Sequence, residues 1–164
     1  MEAQQANISS TVAGKYLTFA ISKEIYGVEI LKVQEIIGVP NITRVPKVPE
    51  YVKGVINLRG KIIPIVDLRL RFGLQPIPYD EKTCIIVIDI QKAEQKVAVG
   101  VIVDTVHEVI NYTNSEIESA PDYGSQIDSR LILGLGRKSN QPLSILVDIE
   151  KVLVISDLPT NTSE

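Results

Sequence analysis

The side chains that most often carry out chemistry in proteins are few in this chain. His107 is the only histidine and Cys84 the only cysteine among 164 residues. Nucleophilic catalysis needs a nucleophile beside a base that a further group positions. His107 has Gln34 at the matching place of a repeated segment, so it is predicted to be an ordinary surface or half-buried residue. One histidine and one cysteine also cannot form a typical zinc site.

The acidic and glycine-rich segments offer no better site. The carboxylates Asp67, Asp89, Asp104 and Asp148 lack the short spacing of a calcium loop. Asp67 and Asp148 end equivalent apolar segments, so each is predicted to cap the turn or helix that follows. Gly134-Leu135-Gly136 has neither the third glycine nor the lysine of a phosphate-binding loop, and it is predicted to be a tight turn. The sequence therefore predicts no enzyme, no cofactor and no metal.

Composition narrows the class of protein further. The chain is 45% hydrophobic, with two Phe, no Trp and a net charge of -3. Its interior must be filled mainly by Ile, Val and Leu, and the β-branched excess favours strands. Basic residues are scattered, so neither nucleic acid nor an anionic membrane is an expected partner. With a single cysteine, no secretory signal and no run of about 18 apolar residues, we expect a cytoplasmic protein without membrane insertion.

Two segments of the chain occur twice in the same order. Tyr26–Ile37 (YGVEILKVQEII) matches Val99–Ile110 (VGVIVDTVHEVI), and Val55–Leu68 (VINLRGKIIPIVDL) matches Ile132–Ile149 with one insertion at the turn. Ungapped matches in the same order indicate a duplicated unit of roughly 75 residues, large enough to bury a small core. The elements that must position any site are therefore two similar modules.

The local pattern within the modules is that of strands. Lys53–Leu58 and Lys61–Leu68 are predicted to form a hairpin, with Arg59-Gly60 at its turn and glycine supplying any positive φ. Pro64 cannot donate to a ladder and is expected at a bulge or an unpaired edge. For Val33–Ile37, periodicity leaves a strand and a helical turn both open.

Further elements follow along the chain. Leu68–Leu74 is predicted to form a short helix capped by Gly73, and Gln75–Asp80 to connect the modules. Thr83–Ile90 is almost uninterruptedly apolar, which is typical of a strand buried on both faces. About five short strands in each module indicate a small closed barrel. We expect tails at 1–14 and 157–164, a first barrel at 15–80 and a second at 81–156.

The segment Gly54–Phe72, GVINLRGKIIPIVDLRLRF, strongly resembles the CheW family, the adaptor proteins of bacterial chemotaxis signalling. The likeness extends from Tyr16 to about Ser156 through YGVEILKVQEII, VGVIVDTVHEV and QPLSILVDIEKVL. It implies an all-β fold of two five-stranded SH3-like barrels and no catalysis. It also implies a cytoplasmic scaffold, monomeric when free, that links the regulatory domain of a histidine autokinase to the helical hairpin tips of transmembrane chemoreceptors.

The resemblance also implies two contact surfaces. A receptor-binding groove between the barrels is carried over to Val33, Glu35, Asn57, Arg59, Val103 and Val106. A kinase-binding surface is carried over to Val28, Ile30 and Gly54. An apolar groove can receive a helix through anchors at i, i+3, i+4 and i+7, with Arg59 and Glu35 adding polar contacts at its rim.

Two other functions fit the same sequence. The first keeps the fold but serves another kinase-linked pathway, such as surface motility, and binding assays against several receptor tips would separate it from the chemotaxis adaptor. The second is a small hydrolase or sugar-processing enzyme that uses Asp67, Asp148 or Glu35. Loss of activity when each carboxylate is replaced by the amide would support the enzyme, whereas adaptor binding should tolerate most of these changes except at Glu35.

Overall fold

The structure is a computed structural model that describes residues 12–92, 94–119, 129–154 and 157–159. Within them the chain forms short strands, two short α-helices and three 3-10 turns. The strands are β1 (Gly14–Ile21), β2 (Glu24–Glu29), β3 (Val33–Gly38), β4 (Val52–Leu58), β5 (Lys61–Asp67), β6 (Cys84–Lys92), β7 (Gln95–Val103), β8 (Thr105–Tyr112), β9 (Ile117–Glu118), β10 (Ile132–Gly136) and β11 (Ser144–Val147). The helices are α1 (Leu68–Arg71) and α2 (Ile149–Val152), and the 3-10 turns are Ile30–Lys32, Asn114–Glu116 and Ser129–Leu131.

The strands form two sheets, which confirms the all-β prediction. The first sheet has five strands in the order β3-β6-β7-β5-β4, and the second has six in the order β8-β1-β2-β11-β10-β9. Among the described residues neither sheet closes by continuous strand pairing, unlike the closed barrels that were expected. The backbone bridge Thr43–Val55 joins the chain after β3 to β4, and no longer ladder is present there among the described residues. Thr43 lies between Pro40 and Pro46, and prolines lack the amide hydrogens that a longer ladder would need.

Each sheet combines strands from both repeats. The hairpin β1–β2 lies in the second sheet, where β2 runs parallel to β11, and the hairpin β6–β7 lies in the first sheet, where β7 runs parallel to β5. The segments 15–80 and 81–156 thus each contribute strands to both sheets. After the repeats are aligned, the two strand orders are the same apart from the added β9. The duplication is therefore visible in the topology, with the first hairpin of each repeat exchanged.

Matching glycines allow the exchanged hairpins to pack closely. Gly27 of β2 pairs with Leu146 of β11, and Gly100 of β7 pairs with Ile65 of β5. A Cβ at Gly27 would lie 2.8 Å from Leu146 Cδ2, and one at Gly100 would lie 2.7 Å from Ile65 Cδ1. Real Cβ atoms do not approach other carbons so closely, so a side chain at either position would force its buried neighbour to shift.

Three clusters of buried side chains form the core. The shared core lies between the sheets and includes Phe19, Val28, Ile86, Val101 and Val147. The first-sheet core includes Ile56, Ile63, Ile65, Ile85 and Val87, and the second-sheet core includes Tyr16, Tyr112 and Leu146. Successive residues of β6 enter different clusters, which confirms that Thr83–Ile90 contains a strand buried on both faces.

The predicted hairpin Lys53–Leu58/Lys61–Leu68 is confirmed as β4 and β5. β5 lies between β7 and β4, so Pro64 is not on an edge strand, and the register shift of this hairpin lies between Val52 and Gly54 instead. The pairing of β5 with β7 begins only at Ile65. Pro64 is therefore unpaired on that side, which is why the strand tolerates it.

The helix predicted after Leu68 and the strand at Val33–Ile37 are also present. α1 ends at Arg71, and Gly73 follows with φ +81° while its N–H donates to Leu70 O. Val33–Ile37 forms most of β3, so this segment is a strand and not a helical turn.

The ends of the described chain differ from the expected tails. Leu158 is buried in the shared core, and Asp157 accepts a hydrogen bond from the Tyr51 hydroxyl. Residues 1–11 and 160–164 lie outside the described residues. None of the helices in the described part of the chain is long and apolar enough to cross a membrane.

Candidate functional site

Three residues of the predicted groove lie together at the end of the first sheet that carries the turn between β4 and β5. We call this end, and the end of the second sheet that carries the turn between β10 and β11, the open ends. Arg59 Nη2 lies 2.6 Å from Glu35 Oε1, and Arg59 Nη1 lies 2.9 Å from Glu35 Oε2. Asn57 stands beside Arg59 and caps the same turn, since its Oδ1 accepts from Gly60 N at 2.9 Å. Ile62 faces Asn57 across the hairpin. We call Glu35, Asn57, Arg59 and Ile62 the first-sheet corner.

The turn that carries Arg59 has an unusual backbone for an arginine. Arg59 has φ 52° and Gly60 has φ 87°, so the two-residue loop between Leu58 and Lys61 is a type I′ turn. This turn favours Asn or Gly at its first central position, because a Cβ in the left-handed region is strained by about 1 kcal/mol. Stability of the turn does not explain why an arginine stands there.

The pair Glu35–Arg59 also contributes little to folding. The Arg59 side chain is 66% exposed and that of Glu35 is 26% exposed. Exposed ion pairs are typically worth between zero and about 1 kcal/mol. The contact instead fixes a guanidinium and a carboxylate in one orientation at the surface, beside Ile62, which is itself 47% exposed. This combination of fixed charges and apolar surface suits contact with another protein.

The other predicted groove residues lie around the shared core. Val33 and Val106 are half-buried and pack against that core, at equivalent places in the two repeats. Val103 is fully buried within it. Val33 and Val106 can therefore line a surface where the sheets meet, whereas Val103 can only support one from beneath.

The residues predicted to contact the kinase are mostly internal. Val28 is fully buried, and Ile30 is half-buried against the shared core. Gly54 is buried with φ +142°, and a Cβ there would lie 2.0 Å from Thr43 O. Gly54 thus lets the segment around Thr43 pair with β4. The exposed residue next to Ile30 is Leu31, which is 95% exposed. It was not among the residues predicted from the sequence.

The equivalent end of the second sheet is built differently. The turn between β10 and β11 is longer, and β9 pairs with β10. Lys138 Nζ lies 2.8 Å from Glu116 Oε2, and Arg137 pairs with Glu118, so the basic residues of this turn bind the segment that covers β10. These groups line an open cavity of about 630 Å³ together with Leu143. Lys138 is only 29% exposed, whereas the side chain of Arg137 is 63% exposed beside Glu118.

Two pairs of exposed apolar residues were missed by the sequence argument. Ile36 and Val109 lie at equivalent places on the edge strands β3 and β8, and Ile62 and Leu143 at equivalent places on β5 and before β11; each is 43–50% exposed. Aligning the two repeats could have found them from the sequence, because each pair is apolar at the same place in both copies. An apolar residue that stays exposed in both copies is not required by either core.

The aspartates take the structural roles that were predicted. Asp67 Oδ1 accepts from Arg69 N at 2.9 Å, and Asp148 accepts from Lys151 N, so each caps the helix that follows. Tyr79 donates to Asp67 Oδ2 at 2.7 Å, and burial together with this hydrogen bond raises the pKa of Tyr79. His107 is exposed. No group of three His, Cys, Asp or Glu side chains within the described ranges could hold a metal ion.

Comparison with known proteins agrees with the arrangement of the two sheets. A sequence model of the CheW-like domain matches residues 15–156. This chain belongs to the CheW family. It is similar to a scaffolding protein, TtCheW of Thermoanaerobacter tengcongensis, whose crystal structure superposes with a TM-score of 0.75 at 35% identity over 85% of this chain and 92% of that one.

Relatives in sequence carry the same family name. The chain is 44% identical to the chemotaxis protein CheW of Klebsiella aerogenes over 87% of this chain and 83% of the relative. It is 37% identical to CheW of Bacillus subtilis over 85% and 86% of the two chains. The chain is thus a chemotaxis adaptor of the scaffold type and not an enzyme, as its sequence predicted.

Proposed function

We propose that this chain couples a histidine autokinase to the cytoplasmic tips of chemoreceptors, so that ligand occupancy of the receptor alters phosphorylation. It would act in the cytoplasm at receptor clusters and be monomeric when free. The observation that carries the proposal is Arg59, an exposed arginine in a left-handed turn position whose head group is oriented by Glu35. Strain at a residue that does not stabilise the fold points to a binding role.

The receptor contact is proposed at the first-sheet corner and along the half-buried Val33 and Val106. A receptor tip is a helical hairpin, and a helix presents apolar anchors on one side with polar residues beside them. Val33 and Val106 supply apolar surface at the margin of the shared core. The oriented guanidinium of Arg59 would then fix the register of the helix by a polar contact.

The kinase contact is proposed around the crossing from β2 to β3. Ile30 is half-buried there, and the adjacent Leu31 is almost wholly exposed. A leucine in that state gains about 1.5 to 3 kcal/mol when a partner buries it fully. Val28 supports this region from within the shared core rather than touching the kinase, and Gly54 lies elsewhere, on β4 against Thr43. A barrel-shaped regulatory domain could cover Leu31 with an apolar strand.

Association of three purified components tests the coupling role. A kinase regulatory domain immobilised on beads should retain a receptor hairpin only when this chain is present. Leu31→Ser should reduce retention of this chain by the kinase, with unchanged binding to the receptor. Retention of the receptor hairpin without this chain, or its absence in the complete mixture, would contradict the proposal.

Charge reversal tests the receptor contact. Arg59→Glu and Glu35→Arg should each weaken receptor binding, by on the order of 1 to 3 kcal/mol for Arg59→Glu. The double variant restores the internal ion pair but places the charges in exchanged positions, so receptor binding should stay weak while thermal stability returns to that of the parent. Full recovery of binding in the double variant would show that the pair serves the fold alone.

A further inference from the structure

Two ion pairs lie just beyond the ends of the parallel strand pairs that join the repeats. Lys32 follows β2 and Glu150 lies in α2 after β11, with Nζ and Oε2 2.9 Å apart. Asp104 follows β7 and Arg69 lies in α1 after β5, with Nη1 and Oδ2 2.8 Å apart. Each pair thus connects the crossing of one repeat to the helix of the other.

A backbone amide from an exchanged hairpin completes each pair. Gln91 N donates to Glu150 Oε2 at 3.2 Å, and Ser22 N donates to Asp104 Oδ2 at 2.7 Å. Gln91 and Ser22 occupy equivalent places after the buried Ile90 and Ile21. We call Lys32, Glu150 and Gln91 the first junction, and Asp104, Arg69 and Ser22 the second junction.

The two junctions join the same elements with opposite polarity, and Asp104 stands one residue earlier in its crossing than Lys32 does. In the first junction the crossing carries the base and the helix carries the acid. In the second junction the crossing carries the acid and the helix carries the base. The side chains of the four charged residues are only 13–36% exposed, so the pairs are screened less than a pair on open surface.

The glycine contacts beside the junctions do not distinguish the repeats. Gly27 meets Leu146 in the second sheet as Gly100 meets Ile65 in the first, and both contacts accept an aliphatic side chain over a glycine. A hairpin from either repeat would satisfy either sheet in this respect. The charges at the junctions do differ between the repeats.

We propose that the opposite polarity of the junctions makes each repeat pair only with the other one, and that it prevents like repeats of two copies of this chain from pairing during folding. If β2 of one copy paired with β5 of another, Lys32, one residue beyond the place that Asp104 occupies, would lie near Arg69. If β7 paired with β11 of another copy, Asp104, one residue before the place of Lys32, would lie near Glu150. Like charges held close together oppose both arrangements.

Chain geometry explains why the wrong pairing concerns two copies. To lie in the same sheet as β2, β3 would have to run parallel to it and so begin near its other end, about 20 Å away for a six-residue strand. The crossing Ile30–Lys32 has three residues and spans at most about 11 Å. Within one chain β2 and β3 therefore lie in different sheets. Between chains this limit does not apply, and the charges oppose a mistake.

Reversal of one junction in the full-length chain tests the proposal. Lys32→Glu with Glu150→Lys keeps an ion pair in the monomer but gives both repeats an acidic crossing and a basic helix, so like repeats of two copies now attract. The variant should form severalfold more soluble oligomer than the parent chain when refolded from denaturant at rising concentration, measured by size exclusion with light scattering. An oligomer fraction equal to that of the parent overturns the proposal.

Reversal of both junctions is the matched control. Adding Arg69→Glu and Asp104→Lys restores opposite polarity with the same net charge, so the oligomer fraction should fall back to that of the parent. A further rise in oligomer would show that the substitutions act by damaging the fold, and the proposal would be wrong. If the first double variant does not refold, the variant Arg69→Glu with Asp104→Lys takes its place in the test. It makes both crossings basic and both helices acidic, so it should raise the oligomer fraction in the same way.

Discussion

The two sheets of this protein share their strand order but differ at their open ends. Both have a parallel pair between repeats, a glycine opposite an aliphatic residue and an aspartate that caps the following helix. At the open end, the first sheet has a two-residue turn whose Arg59 pairs with Glu35 and stays 66% exposed. The second sheet has a longer turn whose Lys138 pairs with Glu116 and is only 29% exposed. What the repeats share holds the fold, and we expect partner contact where they differ.

One pair of glycines, Gly54 and Gly134, has matching positions in the two sheets but different backbone conformations. Gly54 pairs with Ile65, and Gly134 pairs with Leu146, each beside a register shift in its strand. Each glycine also lies against the carbonyl of the segment that covers its strand, Thr43 O for Gly54 and Glu118 O for Gly134. Only Gly54 has a positive φ, so its requirement for glycine is the stronger.

The largest expected effect is therefore that of Gly54→Ala. The new Cβ would lie 2.0 Å from Thr43 O on a backbone with φ +142°, so we expect a loss of about 3 kcal/mol or more in the free energy of unfolding. Gly134→Ala meets Glu118 O at 2.9 Å and should lose less. Chemical denaturation of both variants measures the difference, with Gly38→Ala as the control because nothing lies within 4 Å of its Cβ. Equal losses at Gly54 and Gly134 would remove this distinction between the sheets.

Alkaline pH should destabilise the chain through Tyr26, which lies in the hairpin β1–β2 of the first repeat. Burial and the nearby Glu24 raise the pKa of Tyr26 to about 12, whereas the equivalent position of the second repeat is Val99. The folded chain therefore keeps its tyrosine protons at pH values where the unfolded chain loses them. The stability that this contributes is full below about pH 10 and is lost as pH rises towards 12.

Replacing this tyrosine tests the assignment. Between about pH 10 and 12 the free energy of unfolding should fall by on the order of 2 kcal/mol, and it should fall by less in Tyr26→Phe. Tyr51, whose pKa burial and Asp157 also raise to about 12, contributes to the same slope, so Tyr51→Phe is the comparison. Denaturation at a series of pH values gives both slopes. A slope that Tyr26→Phe leaves unchanged would show that the titration occurs elsewhere.

A smaller effect is expected in the second-sheet core. Tyr112 donates to Ser144 Oγ at 2.9 Å, and both groups are buried, while the repeat alignment places Val39 at the corresponding position of the first repeat. Tyr112→Phe leaves the Ser144 hydroxyl without this partner, which should lower stability by about 1 to 2 kcal/mol. Adding Ser144→Ala should recover part of the loss. Additive losses in the double variant would argue against a direct interaction.

Much of this fold could be predicted because local sequence determines it. The hairpin around Arg59-Gly60, the strand buried on both faces and the capping aspartates Asp67 and Asp148 follow from turn chemistry, apolar runs and helix capping. The exchange of hairpins could not be predicted in this way. It depends on which strand pairs with which over more than 70 residues, as in Gly27 with Leu146, and two repeats of similar pattern leave both pairings open.

The candidate site was predicted unevenly for the same reason. Family resemblance and turn position were sufficient to single out Glu35, Asn57 and Arg59, which the structure places together. Val28 and Val103 have strand patterns in which the buried and exposed faces cannot be told apart, because each sheet has a core on both sides. Both are fully buried. The exposed Leu31 lies in a crossing too short to show periodicity.

The smallest expected effect on stability is that of Arg59→Gly. Glycine relieves the left-handed strain at this turn position but gives the unfolded chain more freedom, so the free energy of unfolding should change by less than about 1 kcal/mol. Thermal denaturation of the variant and of Arg59→Ala, which keeps the strain, compares the two contributions. A large loss in both would mean that the pair with Glu35 stabilises the fold.

Receptor affinity at the two open ends tests the central claim most directly. The dissociation constant of a chemoreceptor hairpin should be measured by titration calorimetry for the parent chain, Arg59→Gly and Lys138→Ala, each checked for an unchanged melting temperature. We expect Arg59→Gly to weaken binding about tenfold or more, and Lys138→Ala to leave it unchanged, because the Lys138 side chain is only 29% exposed whereas that of Arg59 is 66% exposed. Equal affinities for the parent and Arg59→Gly, or a greater loss for Lys138→Ala, would contradict the assignment of receptor binding to the first-sheet corner.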